Sequence, residues 1–260
     1  MMVEGPFLTL LDPRAKIKGS RDPLGIQILW TKLGRQVVHN LTTVTTSVRS
    51  FSVLLLGLYF AERAVSERHA PPDQFAELFL KFEQLAAYSR VAVHVGKNGD
   101  YTEEEVRGIQ RVKKNLIDKR VRISTDPSWQ ILANQKTYGL WGLYMVAARN
   151  SKLVQDETAR LTEKAREFVI EEYDNQRRLN RQESEQIIDF LCHERWFEPF
   201  GRDSKLAKKI TSMLGGLSTN EKHTYRRHLV ECVGSEMQSS LWKAMLAVTR
   251  PELPFSMEDL

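Results

Sequence analysis

Residues 71–94 read PPDQFAELFLKFEQLAAYSRVAVH. Phe75, Leu78, Phe79, Phe82, Leu85, Ala86 and Val93 recur at the 3.6-residue spacing that lines one face of an α-helix. Pro71-Pro72-Asp73 restarts the chain just ahead of it, so a helix is predicted from there to about His94. An apolar face this wide needs a partner. One lies immediately upstream, where Phe51, Leu54, Leu55, Leu58, Tyr59 and Ala61 predict a second long helix over 49–67. That helix is apolar almost all round near its start, which places it at the centre of a core. Two such helices set the class: mostly α, a multi-helix bundle around one extended core with a minor β-ribbon.

Working outward, Asp22-Pro23 supplies an N-cap and a first-turn proline for an amphipathic helix over 23–38, through Ile26, Leu29, Trp30, Leu33 and Val37. The first twenty residues, broken by Gly5, Pro6, Pro13 and Gly19, read as an irregular arm with a strand at 7–11. Residues 39–50 are rich in β-branched and hydroxyl side chains, which suits a loop or cap. Downstream, Gly96 to Asp100 forms a turn. Thr102 and Glu105 have capping-box spacing for a helix running to about Lys119. Residues 120–124 read as a short strand or a simple exit from that helix. Thr125-Asp126-Pro127 then opens a helix carrying Trp129, Leu132, Leu140, Leu143, Tyr144 and Ala147, in which Gly139 and Gly142 mark close approach of a neighbouring backbone. A small ribbon is expected at 153–161, and Thr162 caps the next helix. Later helices are predicted at about 183–197, 203–213 and 219–248. The last buries Val230, Val233, Met237, Leu241, Ala244, Met245 and Val248. A boundary near 123–128 divides an N-terminal region, 1–122, from a C-terminal region, 123–260.

Bulk properties fit an ordinary folded protein. The 260 residues suit one large domain or two small ones. Hydrophobic residues make up 42% and charged residues 27%, so the chain can bury a core without covalent staples. Two cysteines, Cys192 and Cys232, form no disulfide framework and suit a reducing cytoplasm. The N-terminus lacks a signal-peptide pattern, and the apolar run 51–61 is about half of the roughly twenty residues a membrane span needs.

Catalytic and ligand-binding patterns are missing. Neither GxxxxGK[ST] nor GxGxxG occurs, so no phosphate loop is evident. The histidines form no HExxH, the cysteines no CxxC, and His223 and His228 point to different helix faces. No G-x-S-x-G elbow is present. The expectation is a non-enzyme without cofactor or metal. An alternative is an enzyme whose site is gathered from afar around His193, Glu194 and a perturbed carboxylate.

Charge is the stronger functional signal. The net charge of +5 permits nucleic acid without demanding it. Between 107 and 122, however, seven basic residues face one acid: Arg107, Arg111, Lys113, Lys114, Lys119, Arg120 and Arg122 against Asp118. On a continuous helix Arg107, Arg111 and Lys114 would share a face suited to phosphate contact. The plainer interpretation is a solvated face with cations near a helix C-terminus. Lys152, Arg160, Arg177, Arg178 and Arg181 could extend such a surface.

Two further segments suggest partners. Leu161-Thr162-x-x-Ala165-Arg166-x-Phe168 resembles the start of the closing helix of winged-helix modules, where the pattern is often Leu-Thr-x-x-Gly. Ala165 replaces that glycine. The resemblance implies a small winged-helix-like subdomain over 129–170, a fold that often mediates protein contacts. The block 19–50, with its capped helix, Gly34-Arg35 pair and hydroxyl-rich run, reads as a docking surface in which Trp30 and Arg35 meet a protein partner. This block bears a general likeness to helical accessory subunits encoded beside ATPases or nucleases in bacterial antiphage systems. The sequence therefore leads to a non-catalytic accessory subunit of an intracellular multi-protein complex that contacts nucleic acid. The alternative is a stand-alone DNA- or RNA-binding protein using 107–122. The two are compatible.

Overall fold

The computed structural model describes residues 47–94, 105–174, 178–231 and 236–248, together with Ile26, Leu29 and Gly34, which are helical. The expected strand at 7–11, the turn at 96–100, and Thr102 lie outside these residues.

The bundle is built on α1 (Arg49–Arg68) and α2 (Phe75–His94), packed side by side. Both match the predicted helices closely because their apolar runs are long enough to declare a period. Ser47 Oγ accepts from the Arg49 amide at 3.2 Å at the start of α1. His69 ends it in the left-handed conformation, φ 54°, with its N–H on the Ala64 carbonyl. The two helices approach closely at Gly57, where an added Cβ would lie 2.8 Å from the Phe79 ring. Phe60 and Phe82 stack beside it with ring centroids 5.6 Å apart.

One face of α2 was expected in the core, yet Leu78 to Ala92 is buried all round. The reason is position: α1 covers one side, and α7 (Arg181–Cys192) and α8 (Ser204–Met213) cover others. Several of its polar side chains consequently find partners inside the protein. Lys81 Nζ donates to the Leu191 carbonyl at 2.9 Å. Gln84 donates to the Ser124 carbonyl at 2.8 Å and accepts from the Ser124 amide at 3.2 Å, pinning the end of β1 (Val121–Ile123) to α2.

The basic segment departs from expectation. Its helix, α3, covers only Ile109–Asn115 and is followed by a 3-10 turn at Leu116–Asp118 and then β1. Gly108 sets the start. It has φ +73°, and an added Cβ would lie 2.1 Å from the Ile131 carbonyl oxygen. Only glycine fits that combination of left-handed backbone and close approach. Residues before Gly108 therefore cannot join the helix, and Arg107 shares no helical face with Arg111 and Lys114.

The helix expected from Thr125 is also divided. Residues 125–134 form turns, α4 covers Gln135–Tyr138, and α5 covers Leu140–Asn150. Gly139 is extended between them, close to the Gln135 carbonyl and to the Glu83 carboxylate. Gly142 faces the Thr137 carbonyl, so the expected close backbone approach comes from α4.

Val154 and Leu161 form an antiparallel bridge, the remnant of the ribbon expected at 153–161. Thr162 then caps α6 (Glu163–Glu172), its side chain accepting from the Ala165 amide. Helix α7 stops at Cys192, short of the predicted 197, because Arg195–Phe197 forms β2. This strand pairs antiparallel with β1 in the register Val121↔Phe197, Arg122↔Trp196 and Ile123↔Arg195. The described residues continue with α8, α9 (Thr219–Tyr225), a π-helical turn at Arg226–Val230, and α10 (Glu236–Val248). A single helix over 219–248 was expected. Of its supposed buried stripe, Val230 is partly buried, Val233 lies outside the described residues, and Met237 is exposed by 58%, Met245 by 56%, with Leu241 and Ala244 also open.

A charged knot ties the N-terminus of α1 to α9. Arg49 pairs with fully buried Glu221 at 2.5 Å, and the Tyr173 hydroxyl donates to the same carboxylate oxygen. Ser52 and Tyr225 complete the cluster at 2.8 Å.

Candidate nucleic-acid interface

The β1–β2 ribbon presents two different faces. Val121, Ile123 and Phe197 are fully buried, and Phe190 meets Phe197 edge-on at 5.4 Å, so one face belongs to the core. Residue alternation sends Arg122 and Trp196, which lie directly opposite each other, to the solvent side. Trp196 is 40% exposed. The Arg120 guanidinium sits 4.8 Å from its ring centroid, and Trp129 meets the same ring edge-on at 5.3 Å. Lys119 precedes this group in the left-handed conformation with φ 58° and is exposed.

Carboxylates occupy part of the surface. Glu194 holds Arg122 at 2.7 Å and accepts from Ser124 Oγ at 2.7 Å. Asp189 pairs with Arg195 and with His193. Asp126 is held below the usual carboxylate range by the hydroxyl and amide of Ser128. Among the described residues no ion pair engages Lys114, Lys119 or Arg120, so the local positive excess rests on those three.

The seven cations singled out in the sequence thus separate into two groups. Lys119, Arg120 and Arg122 gather on the ribbon with the tryptophans. Lys114 is exposed on α3 and Lys113 is half-buried there. Arg111 donates to the Pro127 carbonyl at 2.9 Å, bracing the turn that carries Trp129. Arg107 turns inward, lining a cavity with Glu83 and Arg90. Its Nε has no hydrogen-bond partner among the described residues, and its charge counters the burial that raises the Glu83 carboxyl to about 7. Of the outlying cations, Lys152 pairs with Asp156, Arg178 with Glu172 and Arg181 with Glu185. Trp30 and Arg35 lie outside the described residues, as does Arg177.

Trp196 and Trp129 are the residues that sequence reasoning missed. The helix expected through 197 hid Trp196, and a three-residue strand is too short to display alternation. Trp129 was placed on a helix and occupies a turn. Of the residues of the enzyme alternative, His193 leans on Asp189 and Glu194 on Arg122, and the carboxylate raised by burial is Glu83, within α2. Among the described residues no group of three or more His, Cys, Asp or Glu side chains could hold a metal ion, and no helix is long and apolar enough to cross a membrane. No protein-family model, curated protein or solved structure matches the chain.

Proposed function

We propose that this protein is a non-catalytic subunit that contacts nucleic acid through the solvent face of the β1–β2 ribbon. The observation that carries this reading is the exposed Trp196 ring, clasped by Arg120 and Trp129 beside Lys119. Phosphate contact by lysine and arginine supplies sequence-independent affinity, and an exposed indole offers a platform on which a base can stack. A solvated structural ribbon would need the cations but not an exposed tryptophan at its centre. The test is a salt titration of binding to labelled duplex and single-stranded DNA, with the Lys119→Glu/Arg120→Glu variant alongside. Binding should fall steeply with salt, because contact with phosphate releases counterions. The double reversal should remove most of it. Salt-insensitive binding, or binding unchanged by the reversal, would eliminate this face.

A protein partner is favoured by a separate observation. Met237, Leu241, Met245 and Leu246 expose an apolar stripe along α10. Exposed apolar patches on folded proteins commonly mark contact sites. Membership of a larger complex accounts for both surfaces. A protein that stays monomeric and brings no stoichiometric companion from its native host would remove this second component.

A further inference from the structure

A pocket of about 310 Å³ opens where the end of α1, the starts of α2 and α5, and the turn at 158–160 come together, and it shares no lining residue with the ribbon. Its volume falls at the lower end of the roughly 300–1,000 Å³ of small-molecule sites, which combine an apolar lining with a few polar groups. Val65, Phe75 and Trp141 supply the apolar part, each half-buried and packed against the core. Phe79, fully buried, lies 5.4 Å from the Trp141 ring between centroids, and Phe75 meets the same ring edge-on at 6.3 Å. The indole is therefore braced from beneath and forms a fixed wall.

Two exposed charges of opposite sign line the same pocket. Asp73 stands in the 3-10 turn Pro72–Gln74 that leads into α2, and Arg160 stands just before the Val154–Leu161 bridge. Among the described residues no ion pair engages either of them. Asp73 suits the positive end of the α2 dipole. Arg160 helps to lower the Glu62 carboxyl, but Glu62 already has Arg166 and the Leu161 amide as partners. Both groups remain open to solvent and to a ligand. From an aromatic wall flanked by one anion and one cation we infer that the pocket binds a free α-amino acid with an apolar side chain. Its ammonium group meets Asp73, its carboxylate meets Arg160, and its side chain covers the Phe75–Trp141 wall. A simple carboxylate or amine leaves one of the two protein charges unanswered, and an internal residue of a peptide carries neither terminal charge. The inference is independent of the ribbon, so either reading can fail alone.

Isothermal titration calorimetry of the full chain would compare L-leucine with three relatives: L-leucinamide, which lacks the carboxylate, 4-methylpentanoate, which lacks the amine, and glycine, which lacks the side chain. Leucine should bind saturably and most tightly. Glycine should be at least about tenfold weaker, because the apolar wall then buries nothing. Both protein charges are exposed, so each should contribute roughly fivefold in affinity, the upper range for solvent-screened ion pairs. Arg160→Gln should weaken leucine by that factor and leave leucinamide unchanged. Asp73→Asn should weaken leucine equally and leave 4-methylpentanoate unchanged. Far-UV circular dichroism matching the wild type shows that such losses are not misfolding. Absence of saturable leucine binding would overturn the inference. So would glycine binding as tightly as leucine, or leucine affinity unchanged in either variant.

Discussion

Glu83 is wholly buried in α2, with its Oε1 accepting from the Leu140 amide and its Oε2 from Gln135 Nε2, each at 2.8 Å. Burial drives its carboxyl up to about 7, opposed by those two donors and by Arg107. In the unfolded chain the same group titrates near 4.5. Between these values the folded protein holds a proton that the unfolded chain has lost. Its contribution to stability is therefore complete below about pH 4.5 and disappears as pH rises through 7. At about 1.4 kcal/mol for each pH unit, the interval corresponds to roughly 3 kcal/mol. Urea denaturation across this range, for wild type and Glu83→Gln, isolates the effect. Glutamine does not titrate, and any fixed cost of placing its amide against Gln135 is constant with pH. All other titrating groups cancel in the comparison. The stability of wild type relative to Glu83→Gln should fall by roughly 3 kcal/mol from the acid end of the window to the alkaline end. Parallel curves would show that Glu83 titrates normally and that its burial has been misjudged.

Three other substitutions probe the fold. Arg49→Met should cost about 3–5 kcal/mol in denaturant melts, because it strands the buried Glu221 carboxylate; a loss below about 1 kcal/mol would contradict the buried ion pair. Gly108→Ala must adopt φ +73° against the Ile131 carbonyl and should destabilise by at least about 2 kcal/mol, whereas Gly216→Ala, with nothing within 4 Å, should change stability by less than about 0.5 kcal/mol. Thr162→Ala removes both the α6 cap and a 2.9 Å hydrogen bond to the Lys152 carbonyl, and about 1 kcal/mol should be lost; unchanged stability would show that the cap is idle.

The central helix pair was legible because each strand of evidence pointed the same way: long apolar periods in α1 and α2, proline restarts and a polar gap between them. Thr162 was legible as a cap for the same local reason. Failures fell where tertiary contacts overrode local pattern. Charge spacing over 107–122 implied a continuous helix, yet the approach of Ile131 to Gly108 is a long-range fact that no window of sequence contains. Apolar spacing over 237–248 correctly described a helix but could not reveal that Met237, Leu241 and Met245 stay exposed. The ribbon was half visible: a strand was one of two readings of 120–124, but its partner β2 was absorbed into a helix. Without that pairing Arg120 and Trp196, 76 positions apart in the chain, had no reason to be considered together.

Photo-crosslinking locates the contact most directly. A single-stranded oligonucleotide carrying 5-bromouracil would be irradiated with the protein, and modified peptides identified by mass spectrometry. The ribbon interface requires adducts on Trp196 or Trp129, or on the peptides flanking Arg120 and Arg195. Adducts confined to α10 or α5, with the ribbon unmodified, would contradict the proposed interface.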